Sequence, residues 1–181
     1  MKFITYSTLF ITALFSIKAN AVECNKHPIY CQIVSNRPSI ERSYAFKLSN
    51  IIAKKTRKYK INSNVFTAIL AQESMYRVGA KNCTRGLRES DVHPKGYVGP
   101  IKVCTDFGIG QIYYKTADSH DFNLDKLTTD MDYSVEAAAI VLTSFKKRYG
   151  KKESDWWTRY NASNRNARTK YKALVKKFTN K

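Results

Sequence analysis

The chain has 181 residues, 43% of them hydrophobic, which is enough for one folded domain with its own core. It contains 32 basic and 14 acidic side chains, and the formal net charge of +18 favours an anionic partner and salt-sensitive association. The sequence has no internal repeat and no low-complexity block, so a repeat architecture is excluded.

The first 21 residues have the features of a secretory signal peptide. Lys2 gives a positive start, Leu9 to Ile17 is mostly apolar, and Ala19-Asn20-Ala21 has the small-x-small form of a cleavage site. The apolar run is too short for a permanent membrane anchor, although an uncleaved anchor remains an alternative. We therefore expect an exported protein, periplasmic or secreted, with residues 1–21 removed.

The mature chain is expected to stay strongly basic. Residues 1–21 contain two lysines and no acid, so 30 basic and 14 acidic side chains remain, a net charge of +16. For an exported protein, the anionic candidates are a cell-wall polymer, a membrane surface and extracellular nucleic acid. Charge alone does not identify the ligand, since a generally basic proteome would give the same excess.

Four cysteines follow the cleavage site: Cys24, Cys31, Cys83 and Cys104. An even number in an exported chain favours two disulfides, and four cysteines allow three connectivities. We expect the local pairing, Cys24–Cys31 with Cys83–Cys104. A zinc site is disfavoured because the sequence has no C-x-x-C and no H-x-x-x-H, so no metal is expected.

The chain after the leader is predicted to consist of an N-terminal extension and one domain. Residues 22–39 contain two cysteines and two prolines with little periodicity, and should form a tied-down extension. Residues 40–181 should form the domain, with a first helix from about Ile40 to Tyr59. The predicted apolar face of this helix has Tyr44, Leu48, Ile51, Ile52 and Tyr59, and the predicted solvent face has Lys54, Lys55, Arg57 and Lys58.

The second helix is apolar on nearly every side. Its N-cap candidates lie in Asn62-Ser63-Asn64, and we expect it to end around Gly79. Residues 65–71 are all Val, Phe, Thr, Ala, Ile or Leu, so the helix should be buried. Burial of Glu73 near its end favours the neutral carboxyl and raises its pKa, as a general acid near neutral pH requires. The simpler interpretation is a solvated or capping glutamate beside a helix-ending Ser74.

The next segment, residues 80–107, is expected to be irregular. It contains several glycines and prolines, mixed charges and the second cysteine pair. A long loop inside a compact domain is usually functional or stapled. A short hairpin around Tyr97 to Val103 is our only structural expectation here.

Two helices are predicted in the C-terminal part. One begins at Asp130 to Asp132 and ends at Gly150, with Val135, Ala138, Leu142 and Phe145 at helical spacing. In the tail helix the apolar stripe has Tyr171, Leu174, Val175 and Phe178, which indicates core packing. The sequence therefore predicts a mainly α single domain with at most a small β element.

Two short motifs in this part carry functional groups. In Gly108-Ile109-Gly110-Gln111 the glycines permit close backbone approach or positive φ, and the Gln111 amide offers a donor and acceptors. A phosphate-binding loop is disfavoured because neither G-x-x-x-x-G-K-[ST] nor G-x-G-x-x-G is present. Tyr160-Asn161 supplies an aromatic hydroxyl and an amide, although packing alone would also explain it.

Taken in order, three segments resemble the soluble lytic transglycosylase family, most closely its small exported forms associated with type IV or type III secretion or conjugation. The segments are Ala68 to Ser74, Asp106 to Ile112 and Arg159 to Ala162, and the resemblance covers roughly residues 44–178. It implies a lysozyme-like, α-dominated fold around a long substrate groove. It also implies catalysis by Glu73, with substrate-binding positions at Ser74, Gly108, Gln111, Tyr160 and Asn161.

The family reaction cleaves the β-1,4 bond between N-acetylmuramic acid and N-acetylglucosamine in peptidoglycan and leaves 1,6-anhydromuramyl ends. The resemblance therefore implies peptidoglycan strands as substrate and no metal or cofactor. Secretion-system proteins are further candidate partners, for local opening of the wall.

The sequence departs from the family pattern in two ways. Gly110 replaces the family's usual Met, which normally lines the glycan groove, so saccharide contact there is expected to be looser. The number of residues between Glu73 and Gln111 is larger than is usual in the family, because the cysteine-bearing segment 82–105 is inserted there. This insertion is either a wall or lid of the groove or a neutral surface elaboration.

Other functions also fit parts of the sequence. A lysozyme-type muramidase would pair Glu73 with a second carboxylate, for which Asp91, Asp106 and Asp118 are the nearest candidates. A non-catalytic, cationic peptidoglycan-binding module would leave Glu73 structural. Nucleic-acid binding through lysines and tyrosines is disfavoured by the export signal.

Overall fold

The structure is a computed structural model that describes residues 24–84 and 103–179. Its elements in chain order are α1 (Pro28–Asn36), α2 (Arg42–Tyr59), α3 (Ser63–Ser74), β1 (Lys81–Thr84), β2 (Val103–Phe107), β3 (Ile112–Tyr113), α4 (Tyr114–Ser119), α5 (Leu124–Thr129), α6 (Met131–Tyr149), a 3₁₀ helix (Trp156–Tyr160) and α7 (Arg165–Lys176). The mainly α fold with a small sheet is the one predicted. The expected signal peptide, and the expected hairpin as far as residue 102, lie outside the described residues. In the described part, none of the helices has the length and apolarity needed to cross a membrane.

Helix α3 forms the centre of the core. Asn62 caps it as predicted, since its Oδ1 accepts a hydrogen bond from Val65 N at 3.1 Å. Six consecutive residues are completely buried: Phe66, Thr67, Ala68, Ile69, Leu70 and Ala71. The helix ends at Ser74 rather than around Gly79, because Met75 (φ 51°) and Tyr76 (φ 65°) both adopt left-handed conformations.

Helices α2 and α6 pack against each other through a set of ion pairs. The solvent-face prediction for Lys55 is wrong, since the residue is only 5% exposed. Its ammonium pairs with Asp132 and Glu136 of α6, and Lys58 also pairs with Glu136. The lysine face of α2 is therefore partly covered by the acidic beginning of α6, whose N-cap Asp130 lies where the sequence predicts the helix to begin.

The segment predicted to be irregular contributes β1 and β2 to a three-stranded antiparallel sheet of order β1-β2-β3, in which β3 follows the glycine motif. Cys83 of β1 lies opposite Cys104 of β2 and is bonded to it, which confirms this disulfide. The sheet leads directly into the glycine motif, because Gly108 N donates to Ala80 O at 2.8 Å after β2 ends. The disulfide and the sheet thus fix the position at which the glycine motif begins.

The N-terminal extension contains helix α1, which its low periodicity did not indicate. It is tied by the predicted disulfide Cys24–Cys31. Gln32 Nε2 donates to Asn64 O and to Phe178 O, each at 2.9 Å, and so connects the beginning of α3 to the end of the chain. The predicted apolar stripe of α7 is only partly confirmed: Tyr171 and Val175 are buried, whereas Leu174 is 39% exposed.

Candidate active site

Glu73 lies in the last turn of α3, where two other elements supply donors to its carboxylate. Tyr171 of α7 donates its hydroxyl to Glu73 Oε1 at 2.6 Å. Asn161, the residue after the 3₁₀ helix, places its Nδ2 3.2 Å from each carboxylate oxygen. Three segments far apart in sequence therefore converge on one partly buried acid.

The surroundings of Glu73 keep its carboxyl close to half-protonated at neutral pH. Burial in the apolar end of α3 raises its pKa to about 7, and the hydrogen bonds from Tyr171 and Asn161 oppose that rise without cancelling it. The negative charge of Asp106 makes a smaller contribution in the same direction as burial, and it is included in the value of about 7. Both of these donors are neutral, and within residues 24–84 and 103–179 no cation contributes to the shift of this pKa.

Sequence reasoning missed Tyr171 as a site residue. Its position in the apolar stripe of α7 indicated core packing, and it is indeed only 5% exposed. A buried tyrosine hydroxyl nevertheless needs a hydrogen-bond partner, and this was the available signal. Burial and the neighbouring Glu73 charge raise the pKa of Tyr171 well above its usual range, so it stays a donor.

Ser74 joins α3 to the glycine motif. Its Oγ donates to Ile109 O at 2.8 Å, and the side chain is 3% exposed. From the other side, Ile109 N donates to Ser134 Oγ of α6 at 2.9 Å. The structure thus gives Ser74 a buried structural position behind the site instead of an open sugar-contact position.

Gly108 and Gly110 allow the motif to pack closely against its neighbours. Gly108 has φ +77°, and a Cβ there would lie 2.2 Å from Leu127 O. At Gly110, a Cβ would lie 2.6 Å from the Tyr160 hydroxyl and 2.7 Å from Ala138 Cβ. The space next to Gly110 is therefore already filled by Tyr160, whose hydroxyl donates to Gly110 O at 2.8 Å.

Gln111 lies at the end of this turn, with a left-handed φ of 46°. Its Nε2 donates to Gly108 O at 2.9 Å and to Ala80 O at 3.2 Å, so its amide nitrogen is held by the backbone. The side chain also lines an open pocket of about 260 Å³. The pocket is lined by Asp106, Gln111, Ile112, Tyr113, Thr116, Val141, Phe145, Tyr160 and Asn161.

Most of the predicted site residues are thus brought together. Gln111, Tyr160 and Asn161 share the pocket, and Asn161 also touches Glu73. Burial, followed by the charges of Glu73 and Asp106, raises the pKa of Tyr160 well above its usual range, so its hydroxyl stays protonated. Gly108 shapes the turn from a buried position.

The three candidates for a second carboxylate differ in position. Asp106, in β2, lines the pocket and acts electrostatically on Glu73, and its Oδ2 accepts hydrogen bonds from Asn82 and Thr105. Asp118 is an exposed residue of α4 and does not line this pocket. Asp91 lies outside the described residues. Within residues 24–84 and 103–179, no group of three or more His, Cys, Asp or Glu side chains is arranged to hold a metal ion.

Comparison with known proteins identifies a family for this chain. A family model described as the transglycosylase SLT domain matches residues 50–180, well over half of the chain. The matched range contains Glu73, the glycine motif, Tyr160-Asn161 and Tyr171. Searches among curated proteins and among solved structures found no match. The chain belongs to the transglycosylase SLT domain family.

Proposed function

We propose that this protein is a peptidoglycan lytic transglycosylase that cleaves the β-1,4 bond between N-acetylmuramic acid and N-acetylglucosamine and leaves a 1,6-anhydromuramyl end. The observation that carries the proposal is Glu73, a partly buried carboxyl with a pKa of about 7 that is hydrogen-bonded to Asn161, a residue lining an open pocket. An acid with this pKa is able both to donate and to recover a proton at neutral pH.

In the first step Glu73 acts as general acid. Its proton passes to the glycosidic oxygen, which leaves with N-acetylglucosamine while oxocarbenium character develops at C1 of the muramyl sugar. Tyr171 and Asn161 already donate to the carboxylate, so they stabilise the charge that Glu73 acquires. The substrate's own N-acetyl group assists at C1, and a second protein carboxylate is not required.

In the second step Glu73 acts as base. It takes the proton from the C6 hydroxyl of the same muramyl sugar, and that oxygen forms a bond to C1. The 1,6-anhydro ring closes, Glu73 returns to its acid form, and no water is consumed.

The pocket beside Glu73 is the proposed seat of the sugar. Asn161 and Gln111 offer amide groups, and Tyr160 orders the turn at Gly110 from behind. Gly108 supports the same turn as its close-packing residue, and Ser74 holds it to α3. Substrate contact is therefore proposed for Gln111 and Asn161 first, with Ser74, Gly108 and Tyr160 acting mainly through the shape of the site.

A muramidase is the second candidate, and the position of Asp106 favours it. Asp106 lines the same pocket and is close enough to Glu73 to influence its pKa. With a suitably placed water, a second carboxylate would lead to hydrolysis and a reducing muramyl end. The hydrogen bonds from Asn82 and Thr105 instead give Asp106 a role in ordering β2, which favours the transglycosylase.

A cationic binding module without catalysis is the third candidate. It accounts for the net charge of +18, but it leaves the near-neutral pKa of Glu73 without a purpose.

We further propose that the protein is exported, acts on the wall in the periplasm or outside the cell, and serves local wall opening at a secretion apparatus. Cell fractionation with an antibody to the chain tests its location.

The deciding experiment is mass spectrometry of soluble products from purified sacculi treated with wild type, Glu73→Gln and Asp106→Asn. Anhydro-ended muropeptides from wild type and Asp106→Asn, with none from Glu73→Gln, are the expected result. Reducing ends that disappear with Asp106→Asn would establish the muramidase. Binding of all three proteins to sacculi without any product would favour the binding module.

A further inference from the structure

The two donors to Glu73 come from elements that must be held together. Asn161 directly follows the 3₁₀ helix, and Tyr171 belongs to α7. Their bonds to the Glu73 carboxylate are 3.2 Å and 2.6 Å long. A small shift between the 3₁₀ helix and α7 would therefore separate at least one donor from the carboxylate.

Glu153 bridges these two elements through arginines. Arg159 Nη2 and Nε lie 2.6 Å and 3.2 Å from the two Glu153 oxygens, a bidentate pair. Arg168 Nη1 lies 2.9 Å from Glu153 Oε2. All three side chains are only 19–25% exposed, so solvent screens this bridge less than an ordinary surface ion pair.

Both arginines lie close in sequence to the donors. Arg159 is two residues before Asn161, and Arg168 is one helical turn before Tyr171. The Arg159 guanidinium also lies 4.3 Å from the centre of the Tyr149 ring, at the end of α6. Glu153 therefore connects, through one carboxylate, the chain segments that present each donor.

We propose that Glu153 is a positioning residue for the active site: by holding Arg159 and Arg168 together, it keeps Asn161 and Tyr171 on the Glu73 carboxylate. The role rests on the proposed function, in which Glu73 is the catalytic acid. Without the Glu153 charge, the two guanidiniums repel each other, and the 3₁₀ helix and α7 move apart.

The effect on Glu73 has a definite sign. The groups that face Glu73 are Tyr171 from α7, Asn161 and Tyr160 from the 3₁₀ region, and Asp106 from β2. The Tyr171 and Asn161 hydrogen bonds lower the pKa of Glu73, whereas burial and Asp106 raise it. Weaker donor contacts therefore raise the pKa above about 7.

The test uses Glu153→Gln, which keeps the side-chain length and removes the charge. Asp155→Asn is the matched control, because Asp155 lies in the same loop and also pairs with α7, through Lys172 at 3.1 Å, but these two side chains are 42% and 37% exposed and solvent screens their pair more strongly. The readout is the pKa of Glu73 from ¹³C NMR titration of glutamate carboxyls, with the Glu73 signal assigned by its loss in Glu73→Gln. We expect an upward shift of about one pKa unit in Glu153→Gln and none in Asp155→Asn.

Turnover of sacculi gives the second readout. For Glu153→Gln we expect a kcat lowered about threefold to tenfold with KM unchanged. The alkaline limb of its pH–kcat profile should move to higher pH. A lower Tm with an unshifted Glu73 pKa would overturn the proposal and leave Glu153 a purely structural residue. If Glu153→Gln does not fold, Arg168→Gln takes its place: the same upward shift supports the proposal, and an unchanged pKa overturns it.

The two hypotheses fail in different ways. An upward pKa shift in a protein that releases no muropeptide retains the positioning role and refutes the proposed function. If wild type releases muropeptides but the pKa of Glu73 is unshifted in Glu153→Gln and in Arg168→Gln, only the positioning role is refuted.

Discussion

Two partly buried glutamates of this protein have opposite electrostatic surroundings. Glu136, at the α2–α6 interface, accepts hydrogen bonds from Lys55, Lys58 and Tyr59. Glu73, at the candidate active site, accepts them from Tyr171 and Asn161. Burial raises the pKa of both, but the cations reverse its effect at Glu136 and lower its pKa to about 2, whereas Glu73 stays at about 7.

The difference shows what separates a structural carboxylate from a candidate acid. Both have a tyrosine donor and both are partly withdrawn from water, so neither burial nor hydrogen bonding alone distinguishes them. The charge of the partners does: lysines stabilise the ionised form strongly, and neutral donors stabilise it weakly. The comparison predicts opposite responses of activity and stability to equivalent changes at the two sites.

The largest effect is expected from Glu73→Gln. Loss of the general acid should lower the release of anhydro-muropeptides by about 10²–10⁴-fold with the fold intact. Glu136→Gln is the matched control, and it should keep most of the turnover. Digestion of sacculi and circular dichroism of both variants give the measurement. Equal loss of activity in the two folded variants would show that the carboxyls are not functionally different.

Asn161→Lys should make the surroundings of Glu73 resemble those of Glu136. Asn161 is exposed and already contacts the carboxylate, so a lysine there brings a cation within a few ångströms of it. A nearby opposite charge lowers a carboxyl pKa by about 1–3 units, so turnover at pH 7 should fall about tenfold or more as the acid form is depleted. The alkaline limb of the pH–kcat profile should move to lower pH.

Asn161→Leu supplies the control for this charge effect. It removes the donor without adding a cation, so the pKa of Glu73 should rise and the alkaline limb should move to higher pH. Shifts of both variants in the same direction would contradict the interpretation in terms of partner charge.

Glu136→Gln should affect stability instead of activity. It leaves Lys55, whose side chain is 6% exposed, with Asp132 as its remaining acidic partner. We expect a loss of about 1–3 kcal/mol in the free energy of unfolding at pH 7, allowing for solvent screening of the partly exposed pair. Urea denaturation measures it.

The pH dependence of that loss has a sign fixed by linkage. The folded pKa of Glu136, about 2, lies below the ordinary value of about 4.3 for a free glutamate. Its contribution is therefore present above about pH 4 and disappears as the pH falls towards 2. For Glu73, with a raised pKa, wild type should instead lose stability relative to Glu73→Gln as the pH rises from about 4 through 7.

Structural features that depend on residues close together in the sequence could be predicted from the sequence. The apolar residues 65–71 predict a buried helix, and burial of that helix is what raises the pKa of Glu73. The Asn62 cap, the extent of α6 and the two short-range disulfides are also set by neighbouring residues. Each of these features was predicted.

Features that depend on distant partners were missed or misinterpreted. Lys55 was placed on a solvent face because Asp132, its partner, lies 77 residues away. Tyr171 was interpreted as packing because Glu73 lies 98 residues away. The early end of α3 depends on left-handed Met75 and Tyr76, which a sequence without glycine there does not indicate.

The smallest effect is expected from removing the tyrosine hydroxyl that donates to each glutamate. The two variants are Tyr171→Phe beside Glu73 and Tyr59→Phe beside Glu136. In the part of the chain that the structure describes, Tyr171 and Asn161 are the two donors to Glu73, so loss of the Tyr171 hydroxyl should raise the pKa of Glu73 and lower kcat about threefold to tenfold. Tyr59 acts on a carboxylate that keeps both lysines, so its loss should leave the pKa of Glu136 low and turnover unchanged. Carboxyl titration by NMR and the pH–kcat profile measure both effects. A rise at Glu136 as large as that at Glu73 would mean that tyrosine hydroxyls, and not lysine charges, control these two carboxyls.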